Sequence, residues 1–191
     1  MTKHIDAKFK TAVVHGRRTY IGNVRQPSSS SGTNYPDRML KSQVNKFDIF
    51  PDKMGSIDVT INDGESIVKL EAYADRILQF KEKTMYIINV SESLDFLEDT
   101  HENKGCSFRY HVTKTDFGVA WFNAFGVYFY DGQKVVNLLE KKGERLINEA
   151  DWETFITDSG DTDMSEAHIG YIPKKRQLLI KNENKDVFIY D

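Results

Sequence analysis

The feature that most constrains this chain is a repeated grammar: a short apolar run, a tight polar turn, then another apolar run. It occurs in four segments. In the first, over 9–24, Thr11-Ala12-Val13-Val14 and Thr19-Tyr20-Ile21 flank His15-Gly16-Arg17. The second, over 67–90, carries Ile67-Val68-Lys69-Leu70, the turn Ala74-Asp75, Ile77-Leu78-Gln79-Phe80, the turn Lys81-Glu82-Lys83 and Met85-Tyr86-Ile87-Ile88. The third, over 110–132, sets Val119-Ala120-Trp121-Phe122 and Val127-Tyr128-Phe129-Tyr130 around 123–126. In the fourth, over 167–191, come Ile169-Gly170-Tyr171-Ile172, the turn Pro173-Lys174-Lys175, Leu178-Leu179-Ile180 and Val187-Phe188-Ile189-Tyr190. Runs of four or five apolar residues bounded by Gly, Asp, Asn, Lys or Pro read as strands. Their continuity, in place of alternation, predicts burial on both faces.

Spacing points to a repeat. Tyr20, Leu78, Trp121 and Leu179, one from the middle of each segment, stand 58, 43 and 58 positions apart. Blades of four strands recur at about 40–50 residues, and variable loops lengthen that. The fold class expected is all-β: repeated antiparallel blades, β-propeller-like, in one domain over 1–191 of about four strand units. A β-sandwich built of hairpins satisfies the same pattern. A short helical segment is expected near 134–156: Val136, Leu139, Leu146 and Ile147 do not alternate, Gly143 splits the stretch, and Glu149-Ala150-Asp151-Trp152-Glu153 reads as the start of a short helix. Over 27–32, four consecutive serines read as a flexible loop.

Aromatic residues make up 12% of the chain and keep company with Val and Ile, which suits pleated, half-buried surfaces. Net charge is -3, so nothing global draws the chain to nucleic acid or an anionic membrane. The lone Cys106 excludes an internal disulfide and a cysteine zinc cluster. No apolar run approaches the ~18 residues of a membrane helix. The opening Met1-Thr2-Lys3-His4-Ile5-Asp6 is polar, so synthesis in a cytosol without export is expected.

Candidate sites are few. The loop 158–166, with Asp158, Asp161, Asp163 and Glu166, offers the carboxylate oxygens that calcium needs, although its glycine is misplaced for an EF-hand; a solvated loop is the plainer reading. His4, His15, His101, His111 and His168 are scattered singly, without metal-ligand spacing. Cys106 has no base beside it in sequence and reads as a buried thiol. The basic groups Lys174-Lys175-Arg176 and Arg17-Arg18 read as charged hairpin tips, able to touch a partner or DNA but not recognition motifs. Asp75 is expected to fix its turn by accepting backbone N–H groups. Lys81, Glu82 and Lys83 are expected to keep a hairpin tip soluble. No catalytic, cofactor-binding or metal residues are assigned, no cofactor is expected, and the chain is expected not to be an enzyme.

One stretch is more specific. Tyr35-Pro36-Asp37-Arg38-Met39-Leu40-Lys41-Ser42, Phe47-Asp48-Ile49-Phe50-Pro51, Asp63-Gly64-Glu65-Ser66-Ile67-Val68-Lys69-Leu70 and Asp75-Arg76-Ile77-Leu78-Gln79-Phe80-Lys81-Glu82-Lys83-Thr84-Met85-Tyr86-Ile87-Ile88 follow one another in order. This series resembles the blade signature of propeller-like virion proteins of tailed bacteriophages, the nozzle, tubular or stabilisation proteins beneath the portal. Thr115-Asp116-Phe117-Gly118-Val119-Ala120-Trp121 and Gly126-Val127-Tyr128-Phe129-Tyr130-Asp131-Gly132 look like the blade that follows. The resemblance covers 35–132 well and 169–191 loosely. It implies a virion structural protein of the tail or neck, made in the host cytoplasm and forming a homo-oligomeric ring or scaffold around the DNA channel. Its partners would be other tail or portal proteins and copies of itself, with passive DNA contact and no membrane. Members of that family are usually much longer than 191 residues, so the expectation is an incomplete ring, a small one, or a truncated or divided version of the family's chain. The second reading is a stand-alone propeller or sandwich module binding a protein or glycan through its loops; a hydrolase on a β scaffold is the third.

Overall fold

The computed structural model describes residues 8–26, 33–51, 55–59, 63–91, 94–157 and 164–191. These are mostly β, in five antiparallel sheets, none of them closed, with one α-helix. The chain divides into two compact units, 1–105 and 106–191. Two of the strand segments read from the sequence fall in each. The serine loop 27–32 lies outside the described residues.

The first unit holds two meanders. Strands β1 (Lys8–His15), β2 (Arg18–Gln26), β3 (Thr33–Lys41) and β4 (Ser56–Ile57) pair in sequence order. So do β5 (Ile67–Tyr73), β6 (Arg76–Lys81), β7 (Met85–Asn89) and β8 (Phe96–His101). Turn chemistry sets both registers. Gly16 and Arg17, like Ala74 and Asp75, all have φ between 45° and 60°, the paired left-handed turn whose twist matches two antiparallel strands. Asp75 thus serves its turn through backbone conformation. Its carboxylate reaches His15 at 3.2 Å instead of capping local N–H groups.

All six residues of β6 except Arg76 are buried, as are all five of β7, so these apolar runs pack on both faces, as their continuity predicts. Tyr20, Met39, Ile67, Leu70, Ile77 and Ile88 form one core cluster of this unit. Ile21, Val24, Leu40 and Phe50 form another. Burying each such side chain contributes about 1.5–3 kcal/mol relative to exposure. Gly105 closes the unit; a Cβ there would run into the backbone of Lys81 and Lys83.

The second unit begins with a 3-10 turn (Arg109–His111) and a third meander of β9 (Val112–Lys114), β10 (Val119–Asn123), β11 (Gly126–Tyr130) and β12 (Val135–Asn137). A small hairpin follows, β13 (Glu140–Lys141) with β14 (Glu144–Arg145), then helix α1 (Glu149–Thr157). The unit ends in a three-stranded meander of β15 (His168–Ile172), β16 (Gln177–Lys181) and β17 (Val187–Tyr190).

Of the stretch 134–156, the part read as a helix start, 149–153, forms helix as α1 (Glu149–Thr157). Over 134–148 the structure has strand and hairpin, and the reasons are local. Asp131 Oδ1 accepts from the amides of Gln133 and Lys134 at 2.8 and 2.9 Å, which turns the chain back so that Val135 and Val136 pair with Tyr130 and Phe129. Lys142 and Gly143 then take φ of 54° and 83° and close the hairpin. Helix α1 starts where a cap exists: Asn148 Oδ1 accepts from Asp151 N at 2.8 Å. It buries Trp152 and Ile156, and Trp152 Nε1 donates to the carbonyl of Asn123 at 2.9 Å. Around that anchor gather Phe122, Val127, Leu139, Ala167 and Ile180.

Tyr20, Leu78, Trp121 and Leu179 lie in β2, β6, β10 and β16. Each of these is the second strand of its own meander. Ile77–Phe80 and Val127–Tyr130 are strands of two separate sheets.

Candidate functional site

The described histidines do not converge on a metal. Among the described residues there is no group of three His, Cys, Asp or Glu side chains placed to hold one. His4 and positions 158–163 of the acidic loop lie outside those residues; of the loop's end, Met164 is buried. His15 links the tip of the β1–β2 hairpin to Asp75, and His101 Nε2 stands 3.1 Å from the Asp99 carboxylate. His111 and His168 come near one another around Tyr110, whose ring stacks on His168 at 4.4 Å and meets His111 edge-on at 5.2 Å. His111 is fully buried, with Nε2 3.0 Å from the Met164 carbonyl and Nδ1 without a hydrogen-bond partner. Burial pulls its pKa down to about 4. These are packing roles. Cys106 is buried, as a thiol with no base beside it in sequence is expected to be.

Lys81 departs from the soluble tip expected of it. Its side chain is wholly buried, with Nζ 2.6 Å from Asp63 and 5.6 Å from the centre of the Tyr86 ring. Only Glu82 and Lys83 remain exposed. The tip is held from outside: Glu65 accepts from the amides of Lys83 and Thr84 at 3.0 and 3.2 Å. Asp63 and Glu65 thus bind the β6–β7 turn as a pair of carboxylates, a structural service that explains their place before β5. Nearby, Gln79 is fully buried with neither amide atom hydrogen-bonded.

The second unit carries a concavity of about 280 Å³. Phe117, Phe129, Leu138, Leu178 and Tyr190 supply its apolar wall, and Tyr171, Arg176 and Asp191 its polar rim. Thr115 positions Phe117: its hydroxyl accepts from Phe117 N at 3.2 Å and donates to Gly118 O at 3.1 Å. That loop needs a glycine, since a Cβ on Gly118 would collide with the Tyr130 carbonyl. Opposite stands the basic turn 173–176 between β15 and β16, a hairpin tip as read from the sequence. Arg176, at φ 57°, lays its guanidinium 5.2 Å from the centre of the half-exposed Phe117 ring. Tyr171 donates to Asp116 Oδ2 at 3.2 Å.

An apolar wall with a cation and a carboxylate at its rim is equipped to hold a ligand by contact and orientation. Its volume suits a single aromatic or sugar ring. The sequence reading named Lys174-Lys175-Arg176 but not the groove. Phe117, Tyr171 and Tyr190 lie far apart in the chain, and no local pattern announces that three turns and strand ends meet. No model of a known protein family matches the chain, and no curated protein sequence matches it either.

Proposed function

We propose that this chain is a virion structural protein of a phage tail or neck, whose blade-like sheets assemble with other copies into a ring or scaffold around the DNA channel. The observation that carries the reading is the repetition of one supersecondary unit. Three meanders of four strands and one of three follow one another, and residues spaced at 58, 43 and 58 positions fall in the second strand of each. Repeats of this kind stack laterally and bury their faces between neighbours. The series over 35–132 that resembles tail propeller proteins runs through the first three of them. A rigid β module suits a scaffold because a strand cannot slip register without turning its apolar side chains into water. Binding and scaffolding, not catalysis, is the role proposed, with the virion as its location and other tail proteins as partners.

The test is the mass of the purified protein in solution by light scattering. A discrete multiple of 22.0 kDa supports the reading, and a monomer at every concentration overturns it. The groove beside Arg176 favours a second reading, a stand-alone module that binds a protein or glycan. Saturable binding of a sugar or peptide to that monomer, abolished by Phe117→Ala, would select it.

A further inference from the structure

The four main meanders leave eight outer strands, and most are guarded against further pairing. β4 has two residues, β9 and β12 three each, too short to template a neighbour. β8 carries Glu98 and Asp99 in mid-strand and a register shift against β7, two recognised guards of an edge. β5 is covered by side chains of its own unit: Leu70 N donates to Thr11 Oγ1 at 3.0 Å, and Ile67 O accepts from Asn23 Nδ2 at 3.1 Å. β15 begins beneath Tyr110, stacked on His168. Among the described residues, β17 is left without such a guard, and β1 carries Lys8 and Lys10, charges that deter a like edge and suit an acidic one.

The open side of each can be read from its hairpin. Asn182 N donates to Asp186 O, so hydrogen-bonded pairs continue at Ile180↔Phe188 and Leu178↔Tyr190. The N–H and C=O groups of Val187 and Ile189 therefore face outward, and their side chains are 50% and 54% exposed. No charge interrupts β17. In β1 the two-residue turn makes His15↔Arg18 a bonded pair, and the same alternation turns the backbone groups of Lys10, Ala12 and Val14 outward. Val14 is 63% exposed.

We propose that β17 of one copy pairs antiparallel with β1 of a second copy, giving the three-stranded meander its fourth strand. The register that brings outward-facing residues opposite one another sets Val187 against Val14, Ile189 against Ala12 and Asp191 against Lys10. Charge selects this partner over a like one. β1 and its turn carry Lys8, Lys10 and Arg17; β17 and its flanks carry Glu183, Asp186 and Asp191 against Lys185 alone. Pairing β17 with itself joins two net-acidic edges, and β1 with itself two basic ones. Such a head-to-tail contact uses different surfaces on its two sides, so it propagates from copy to copy and gives a ring where its rotation closes. The inference rests on the assembly reading above and names its joint.

Mixing two single-substitution proteins, Ile189→Cys and Ala12→Cys, tests it, because only a contact between copies can join them. Cys106 is buried and does not compete for a short thiol-bridging reagent. A covalent two-chain product in the mixture, absent from either protein alone and abolished by adding Val14→Lys, is the expected result. Val187→Cys with Val14→Cys repeats the test at the adjacent pair should the first substitutions disturb folding. Rings without the product would overturn this joint and leave the assembly reading standing; a chain that stays monomeric would overturn both.

Discussion

The Lys81 ammonium lies 2.6 Å from the Asp63 carboxylate, where the lysine side chain is wholly out of solvent and the aspartate about three-quarters covered. Desolvating an ammonium costs several kcal/mol, and its attraction to the carboxylate offsets that only while both partners stay. Asp63→Asn is therefore expected to destabilise the first unit by about 3 kcal/mol, and Lys81→Met by much less. Urea melts of the two variants and the double variant measure this. Equal losses from both single variants would contradict it.

Gln79 gives a prediction of opposite sign. Its carboxamide is fully buried with neither atom hydrogen-bonded, which costs about 1–3 kcal/mol against a satisfied or apolar group. Gln79→Met keeps the volume and removes the polar atoms, so it should leave stability unchanged or raise it by about 1 kcal/mol. A loss of that size in a thermal melt would mean the amide is satisfied in solution.

His111 makes stability depend on pH. Burial holds its folded pKa at about 4, below the ordinary 6.5 of histidine. Below pH 6.5 the unfolded chain takes up a proton that the folded chain refuses, so stability contributed by neutral His111 is full above 6.5 and falls until about pH 4. The loss amounts to on the order of 3 kcal/mol across that window. His101, whose pKa burial also lowers, acts in the same direction. His111→Gln should flatten the slope of unfolding free energy between pH 6.5 and 4.5. An unchanged slope would exclude His111 as its source.

At Gly118 the constraint is steric. A Cβ there would collide with the Tyr130 carbonyl and press on the Phe129 ring, so Gly118→Ala is expected to cost about 3 kcal/mol. Because the same loop carries Phe117, the variant should also loosen the groove, seen as lost chemical-shift dispersion for Phe117 and Tyr171. A wild-type melt would contradict this.

How much of this was legible depended on burial. Doubly buried strands such as Ile77–Phe80 and Val127–Tyr130 announce themselves because apolar residues fill nearly all such positions, Gln79 being the exception. β8 does not, since Phe96–His101 is almost entirely exposed and is held by pairing to β7. Lys81 misled for a related reason: a lysine at the end of a strand reads as a solvated tip unless its partner, 18 residues earlier, is known to fold over it. The helical reading of 134–148 failed because a side chain, Asp131, and a left-handed turn at Lys142-Gly143 overrode an ambiguous apolar pattern. The groove beside Arg176 depends on long-range meetings that no spacing rule encodes.

The central claim is that these sheets are parts of a ring. Electron microscopy of the purified protein tests it most directly. The account predicts closed rings of uniform diameter with a central opening, their density divided into wedges that each accept one meander. Isolated particles no larger than one chain, at every concentration imaged, would contradict it.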